Sequence, residues 1–333
     1  MKTLTKCDLC GSENLKFLYN TLDYNRGFKG TFCLWGCKNC GLIFLNPQLS
    51  PKELEKYYTP DYYKRIEKNP NRVRNVTEGF SGKLLSVFIK HPIVFKVFLF
   101  PLSSFIRGVK IIPYGKYLDA GCGKGQFLYE MKQLNPKGEY FGVEPGDFDK
   151  EDIKKRGLKI FKETLVDACF PNNYFDIITL NQVFEHVHNP SQTIKELKRI
   201  LKPGGTLIIA VPNCNSLGYK LFRKYWYHLD APRHLFDYSD KTLKKYAEKF
   251  HFNIVKIRHG FQWEQIGLIV SFIHYSGKFA RKNDLWGTVY KKIQKRNIFL
   301  WAAFVCLSII LIPLTILLNI LKFGEGIEIW LKK

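Results

Sequence analysis

A glycine-rich turn between two short apolar runs constrains the fold of this chain more than any other feature. Residues 117–125 read Tyr-Leu-Asp-Ala-Gly-Cys-Gly-Lys-Gly, and a helix-compatible stretch follows from Gln126 to Leu134. A second short apolar run, residues 140–145, ends with Glu144. This order predicts a βαβ unit with an acid at the end of its second strand. Such a carboxylate can accept both ribose hydroxyls of a nucleoside bound over the glycines, whereas a turn that only serves packing would leave the acid unexplained.

The spacing of the glycines separates the classes of nucleotide ligand. A nicotinamide or flavin site expects GxGxxG, so that a pyrophosphate lies on the helix N-terminus. Here the glycines are Gly121, Gly123 and Gly125, and Asp119 precedes them. An acid at that point disfavours a polyphosphate and suits a ligand that carries a cationic amino group.

The segment from Asp119 to Gly125 closely resembles the first motif of the class I S-adenosylmethionine (SAM)-dependent methyltransferases. Residues 175–187 resemble the fourth strand and the following helix start of that family, and residues 201–212 resemble its Lys-Pro-Gly-Gly turn and fifth strand. The resemblance covers roughly residues 116–260. It implies an α/β fold, a Rossmann-like seven-stranded methyltransferase sheet with helices on both faces.

The same resemblance implies which residues hold SAM. Asp119 would organise the loop and the amino-acid end of the cofactor, and the stretch between the third and fourth strands would contact adenine. His186 is placed beside the cofactor, although its role there can be to cap the helix after the fourth strand. The implied cofactor residues are Asp119, Gly121, Cys122, Gly123, Glu144, Asp167, Ala168, Asn181, Gln182 and His186.

Two CxxC pairs near the start of the chain predict a structural zinc site. The predicted ligands are Cys7, Cys10, Cys37 and Cys40, and a glycine after each pair permits the tight turn that aims two sulfurs at one point. Reduced, unpaired thiols are the alternative, and Cys33 could exchange with Cys37 as a ligand. Zinc would supply folding energy to a segment too small to bury a core alone.

A polar loop beyond the fifth strand carries the candidate catalytic residues His228, Asp230, Arg233 and His234. It lies at the carboxyl edge of the sheet, where open α/β sheets bind ligands. The loop, the four cysteines and a Tyr-rich run at residues 57–63 resemble sugar C-methyltransferases, which implies that His234 is a general base. A hydrogen bond that fixes the loop is the alternative for His234. Arg233 stands where that group has Glu, which favours an anionic acceptor.

The charge of the chain calls for an anionic partner. The sequence has 52 basic and 29 acidic residues, a net charge of +23. No acid lies between Glu78 and Asp119 or between Asp284 and Glu325, and both windows are rich in apolar residues. Basic residues among aliphatic ones favour an anionic membrane surface over nucleic acid. The first ten residues lack an apolar stretch, which argues against a cleaved secretory signal and for a reducing compartment.

Residues 298–321 contain no charge and are long enough to span a bilayer. However, Phe252 to His259 and Gly326 to Leu331 resemble the last two strands of the family's sheet, and a span between them would separate these partners. Basic residues flank the segment on both sides, so we expect it to enter and return, with a break at Pro313. A dimer interface or a buried lid is the alternative.

These features predict a cytoplasmic-face methyltransferase that is monotopic or peripheral rather than membrane-spanning. Its acceptor would be a small molecule, lipid-linked or of glycan type, and its cofactors SAM and a structural Zn²⁺. A soluble nucleotide-sugar methyltransferase and a non-catalytic adaptor that keeps the fold are the alternatives. The sequence leaves the acceptor atom and the oligomeric state open. The predicted regions are a zinc-binding domain (1–50), a helical connecting region (51–115), the methyltransferase core (116–260), a hydrophobic membrane-docking insertion (261–324) and the last strand (325–333).

Overall fold

A computed structural model describes the chain over residues 1–58, 112–260, 264–275 and 298–333. The basic and apolar window before Asp119 lies almost wholly outside these residues, and so do the basic residues that precede residue 298. The expectations for those segments therefore remain predictions.

The chain divides into two compact units. The larger comprises Met1–Ser50 and Ile111–Lys333, and the smaller comprises Pro51–Lys110. In the smaller unit the described residues form helix α1 (Pro51–Leu54) and one 3₁₀ turn (Glu55–Tyr57).

The described residues of the larger unit form two sheets. In chain order, its described strands are β1 (Leu15–Thr21), β2 (Phe32–Cys37), β3 (Ile43–Leu45), β4 (Lys116–Ala120), β5 (Glu139–Val143), β6 (Lys159–Phe161), β7 (Phe175–Asn181), β8 (Leu201–Pro212), β9 (Phe236–Asp237), β10 (Asn253–His259) and β11 (Gly326–Lys332).

Seven of these strands form the central sheet, in the order β10-β11-β8-β7-β4-β5-β6. The five strands from β8 to β6 are parallel, and β11 runs antiparallel between β8 and β10. The seven-stranded Rossmann-like sheet is therefore confirmed. So is the pairing of the last two strands, in which Asn253 lies opposite Lys332 and His259 opposite Ile327.

Continuous apolar runs place the central strands in the core. On β7 the residues from Ile177 to Leu180 are buried, and on β8 so are those from Leu207 to Val211. Runs without polar alternation are typical of parallel strands that are covered on both faces. The carboxyl ends of β4, β5 and β7 consequently meet at one edge, where the residues predicted to bind SAM lie.

Helices alternate with these strands. In chain order they are α2 (Gln126–Leu134), α3 (Lys150–Lys155), α4 (Pro190–Ile200), α5 (Leu217–Phe222), α6 (Asp240–Lys249), α7 (Glu264–Tyr275) and α8 (Ile298–Ile320). Side-chain caps fix several starts: Asp149 accepts from two backbone amides at α3, and Ser239 forms a capping box with Thr242 at α6.

The N-terminal residues share a sheet with the core. Strands β1, β2, β3 and β9 form a four-stranded antiparallel sheet, and β9 comes from the chain between β8 and α6. Asp8 adds a second connection, because its Oδ2 atom accepts hydrogen bonds from Ser191 at the start of α4 and from Tyr246 of α6. Within the larger unit the cysteine segment is thus attached to the elements of the central sheet.

Helix α8 runs continuously through Pro313, so the break predicted at this residue is wrong. Proline removes only the one backbone hydrogen bond that residue 313 would donate to the carbonyl of Ile309, and the helix continues on both sides of it. Helices α7 and α8 both fall between β10 and β11 in the chain. Among the residues described with their side chains, none of the helices is both long and apolar enough to cross a membrane.

Candidate active site and metal clusters

The glycine loop connects β4 to α2 at the carboxyl edge of the sheet. Gly121 adopts a φ of +73°, and a Cβ there would collide with the methyl groups of Val183, so only glycine fits this approach. A Cβ at Gly123 would meet nothing within 4 Å. The loop is therefore closed by Val183 on one side and open over Gly123, as a ligand cradle requires.

Asp119 lies beneath this loop at the end of β4. Its side chain is 4% exposed, and its Oδ1 atom accepts a hydrogen bond from the Thr179 hydroxyl at 2.6 Å. Burial, reinforced by the nearby carboxylate of Glu144, raises the pKa of Asp119 to about 7. This carboxyl group therefore titrates close to neutral pH.

Glu144 follows β5, the strand that pairs with β4. Its Oε2 atom accepts from the Gly123 amide at 2.9 Å, and its Oε1 atom accepts from the Gly146 amide at 2.8 Å. Both oxygens are thus held at the glycine loop, the position predicted for a ribose-binding acid. Cys122 is buried against β5, where a Cβ on Gly142 would meet its side chain.

The other predicted cofactor residues lie on neighbouring segments. Asn181 is exposed at the end of β7, and Gln182 follows it with a φ of +56°. Asp167 and Ala168 lie on the turn between β6 and β7, where Asp167 accepts a hydrogen bond from Thr164. The structure brings Asp119, Gly121, Gly123 and Glu144 together, while Asp167 and Ala168 stay on a separate exposed turn.

His186 and His234 come together from different parts of the chain. His186 ends the 3₁₀ turn Phe184–His186 after β7, and its ring centroid lies 4.6 Å from that of His234. The Nδ1 atom of His186 lies 2.9 Å from the Arg233 carbonyl, and the Nδ1 atom of His234 lies 2.8 Å from the His228 carbonyl. Burial and the adjacent His186 lower the pKa of His234 to about 3, so its imidazole is neutral at pH 7.

Arg233 does not face an acceptor, which corrects the reading that this residue selects an anionic substrate. Its side chain is 0% exposed and donates two hydrogen bonds to Asp23 at 2.9 Å and two to Asp230. Burial alone would raise the pKa of Asp230, but the Arg233 guanidinium holds it well below the usual range. A guanidinium occupied by two carboxylates anchors the loop to the N-terminal segment.

His228 and Asp230 likewise support the loop instead of lining an open site. Asp230 adopts a φ of +32° and accepts from the Asn25 amide at 2.6 Å. His228 lies against Gly267 of α7, where an added Cβ would contact its ring, and burial lowers its pKa to about 4. Of the four candidate catalytic residues, His234 packs its ring against the turn that follows β7, where Arg233 contributes its backbone carbonyl.

Glu185 is the site residue that the sequence analysis missed. It is 1% exposed, and neither carboxylate oxygen has a hydrogen-bond partner among the described residues. Its Oε1 atom lies 3.9 Å from Nε2 of His234, and burial raises its pKa to about 8. The adjacency of Glu185 and His186 was visible in the sequence, but nothing there indicated that His234 would lie against both. We call Glu185, His186 and His234 the Glu185 cluster.

The four predicted zinc ligands meet at one point, and we call them the cysteine cluster. The Sγ atoms of Cys7 and Cys40 are 3.5 Å apart, as are those of Cys10 and Cys37, and all four lie within 4.8 Å of one another. Thiolates at about 2.3 Å from one tetrahedral Zn²⁺ lie about 3.8 Å apart, so these residues fit the ion. Cys33 lies on β2 and is not part of this group of four.

Comparison with known families decides the identity of the core. The family model described as "Methyltransferase domain" matches residues 93–257, about half of the chain. The chain belongs to the class I SAM-dependent methyltransferases. The open cradle over Gly123 and the two oxygens of Glu144 beside it fit the cofactor of this family.

Relatives match this methyltransferase over part of their length. An uncharacterized methyltransferase of Schizosaccharomyces pombe is 35% identical over 27% of this chain and 37% of its own length. A ubiquinone biosynthesis O-methyltransferase of Actinobacillus pleuropneumoniae is 32% identical over 32% of this chain and 49% of its own. A solved SAM-dependent methyltransferase of Archaeoglobus fulgidus is 20% identical, with a TM-score of 0.43 over 82% of this chain and 100% of its own. The chain thus spans less than half of the curated relatives named here.

Proposed function

We propose that this chain transfers a methyl group from SAM to a small-molecule acceptor, lipid-linked or of glycan type, at a membrane surface. One observation carries the proposal: the glycine loop with Asp119 and Glu144 adjoins the turn that presents the Glu185 cluster. Val183 links them, because it closes the loop at Gly121 and comes two residues before Glu185. A cofactor cradle and a buried set of proton- or metal-binding groups thus share one sheet edge.

The residues at this edge of the sheet would bind different parts of the cofactor. Asp119 would attract the cationic amino-acid end of SAM, and Glu144 would accept the ribose hydroxyls in place of its present amide donors. When bound, SAM supplies a methyl group that is transferred directly to a nucleophile on the acceptor. Asn181 and Gln182, at the end of β7, would border the cofactor on the side of the Glu185 cluster.

His234 would face the acceptor. Its Nδ1 hydrogen bond to the His228 carbonyl fixes the loop, as the alternative reading expected, while its Nε2 atom points toward Glu185. The two roles are compatible, because one ring nitrogen orients the imidazole and the other is left for chemistry. General-base catalysis by His234 stays a prediction, and a pKa near 3 makes it a weak base when it acts alone.

The nature of the acceptor rests on two observations of different kinds. The quinone relative methylates within ubiquinone biosynthesis according to its name, which supports a small aromatic or lipid-linked acceptor here. Helix α8 and the residue after it expose large apolar side chains, including Ile310 at 69% and Ile320 at 71%, and Lys322 follows them. An exposed apolar surface with a basic residue at its end favours contact with an anionic lipid surface.

Calorimetric titration with SAM tests the proposal, in detergent and with vesicles of phosphatidylcholine with and without phosphatidylglycerol. We expect the wild type to bind SAM, Asp119→Ala and Glu144→Ala to lose this binding, and the protein to float with the anionic vesicles. Transfer of a labelled methyl group from SAM into a membrane-lipid extract would then identify the acceptor fraction. No SAM binding in either medium would overturn methyl transfer. SAM binding without vesicle association would overturn the membrane surface and favour a soluble acceptor.

A further inference from the structure

We propose that the Glu185 cluster binds a divalent metal ion, separate from the cysteine cluster and adjacent to the SAM loop. One ligand atom from each of Glu185, His186 and His234 lies within 4.8 Å of the other two. Ligands at about 2.1 Å from one ion lie about 3.0–3.5 Å apart, so small side-chain rotations close the site. The residues come from the turn after β7 and from the loop before β9, which the fold brings together.

The unsatisfied carboxylate of Glu185 is the main support for a missing ligand. Both of its oxygens are buried without a hydrogen-bond partner among the described residues, whereas Glu144 has an amide donor on each oxygen. A buried carboxylate of this kind is stabilised by a cation or by donors. The guanidinium of Arg233, the residue before His234, is held by Asp23 and Asp230.

Both histidine rings are fixed through their Nδ1 atoms. A carbonyl oxygen can only accept, so the Nδ1 atoms that contact the carbonyls of Arg233 and His228 carry the protons. In a neutral ring the lone pair is then on Nε2, and in His234 this atom lies on the side of Glu185. Donation of the other ring N–H to a backbone carbonyl is the usual outer-shell arrangement around metal-bound histidine.

The ligand set indicates the class of ion and what it would bind. Two imidazole nitrogens and one carboxylate suit Zn²⁺, Mn²⁺, Co²⁺ or Fe²⁺, and three protein ligands leave coordination positions open. The cysteine cluster, in contrast, would be closed by four sulfurs. The open positions would hold an oxygen-bearing acceptor, such as a phenol or a sugar hydroxyl. This role rests on the proposed function, whereas metal binding itself does not.

Manganese is a probe that separates the two clusters, because carboxylate and imidazole bind Mn²⁺ while four thiolates select zinc. Zinc-loaded full-length protein would be titrated with Mn²⁺, with free Mn²⁺ followed by electron paramagnetic resonance. We expect one Mn²⁺ per chain. Glu185→Gln and His234→Gln should each weaken this binding at least tenfold, with unchanged zinc content and SAM binding as the check on folding.

His188→Gln is the matched control. His188 lies two residues from His186 and contacts the Leu49 carbonyl, outside the Glu185 cluster. This variant should bind Mn²⁺ as the wild type does. Absence of Mn²⁺ binding to the wild type, or binding that both cluster variants retain, would overturn the proposal. If the wild type binds Mn²⁺ but does not bind SAM, the proposed methyl transfer is overturned and the proposed metal site is retained.

Discussion

The cysteine cluster and the Glu185 cluster bring together similar numbers of ligand atoms, but they are encoded in different ways. Each CxxC pair of the cysteine cluster is a local turn, and the only long-range step is the meeting of two such turns. The Glu185 cluster needs a turn after β7 and a loop before β9 to be placed against each other by the whole sheet. Spacing therefore predicts the first cluster, and tertiary structure alone produces the second.

The two clusters also differ in how their surroundings satisfy them. The cysteine cluster is complete in itself, and Asp8 within its first turn ties it to α4 and α6. In the Glu185 cluster the histidines are fixed by backbone carbonyls, but the carboxylate has no donor among the residues that the structure describes. A complete cluster stabilises the fold, whereas an incomplete one is available for a ligand.

The largest effect is expected from breaking the cysteine cluster. Cys37→Ser should abolish zinc binding and lower the free energy of unfolding by several kcal/mol, because zinc contributes about 10 kcal/mol or more to small zinc domains. Zinc content and thermal unfolding would measure both. Cys33→Ser is the control, since Cys33 lies outside the cluster and its loss should change neither quantity. Zinc lost from Cys33→Ser would show that the ligand set is misassigned.

The next prediction concerns Arg233, which anchors the loop that carries His234. Arg233→Met leaves Asp23 and Asp230 buried without their cation and should destabilise the protein by about 3–5 kcal/mol. Urea unfolding would measure this loss. The partly exposed pair of Lys159 and Glu139 provides the contrast, because Lys159→Met should cost no more than about 1 kcal/mol. Equal effects of the two substitutions would contradict an anchoring role for Arg233.

Replacement of glutamate by glutamine at positions 144 and 185 compares a carboxylate that accepts hydrogen bonds with one that has no donor among the described residues. Glu144→Gln should weaken SAM binding by about 10–100-fold, because it removes a charged acceptor of the ribose hydroxyls, and should leave Mn²⁺ binding intact. Glu185→Gln should do the opposite. Calorimetry with each ligand would measure both effects. Asp147→Asn is the control for Glu144, since this exposed acid nearby pairs with Lys162 and should not affect SAM. Parallel losses in both variants would show that the two sites are one.

The sequence analysis was reliable where neighbours in the chain determine the structure. The glycine loop and the acid after the second strand lie where their local patterns placed them, and the last two strands pair as the family resemblance implied. It was wrong about Pro313, because a proline removes one backbone hydrogen bond and the surrounding apolar helix continues through it. It misread Arg233, whose partner Asp23 lies far away in the chain, and it missed Glu185 for the same reason. Long-range contacts decide which polar residues are occupied and which are left for a ligand.

The smallest expected effect concerns the pH dependence of the carboxylate beneath the glycine loop. Burial raises the pKa of Asp119 to about 7, well above the value of about 3.9 for an unfolded chain. In the free protein the protonated form is therefore favoured by folding. This contribution to stability is fully present below about pH 4 and is lost as the pH rises through 7. Asp119→Asn should remove this dependence, which denaturant unfolding at several pH values would measure.

SAM binding should favour the ionised form of Asp119 over the protonated form, because the cationic amino group of SAM stabilises the carboxylate. If SAM binds only the ionised form, its affinity should rise about fivefold between pH 6 and pH 7, a range in which the amino group of SAM stays largely protonated. Calorimetry across this range would measure the slope, and Asp119→Asn should bind weakly with no such slope. An equal slope in the variant would assign the titration to another group. The Glu185 cluster lies along the same edge of the sheet, so the pH series of SAM affinity should also be measured for Glu185→Gln. The increase in SAM affinity between pH 6 and pH 7 should persist in this variant, because Asp119 responds to the cofactor and Glu185 to the metal.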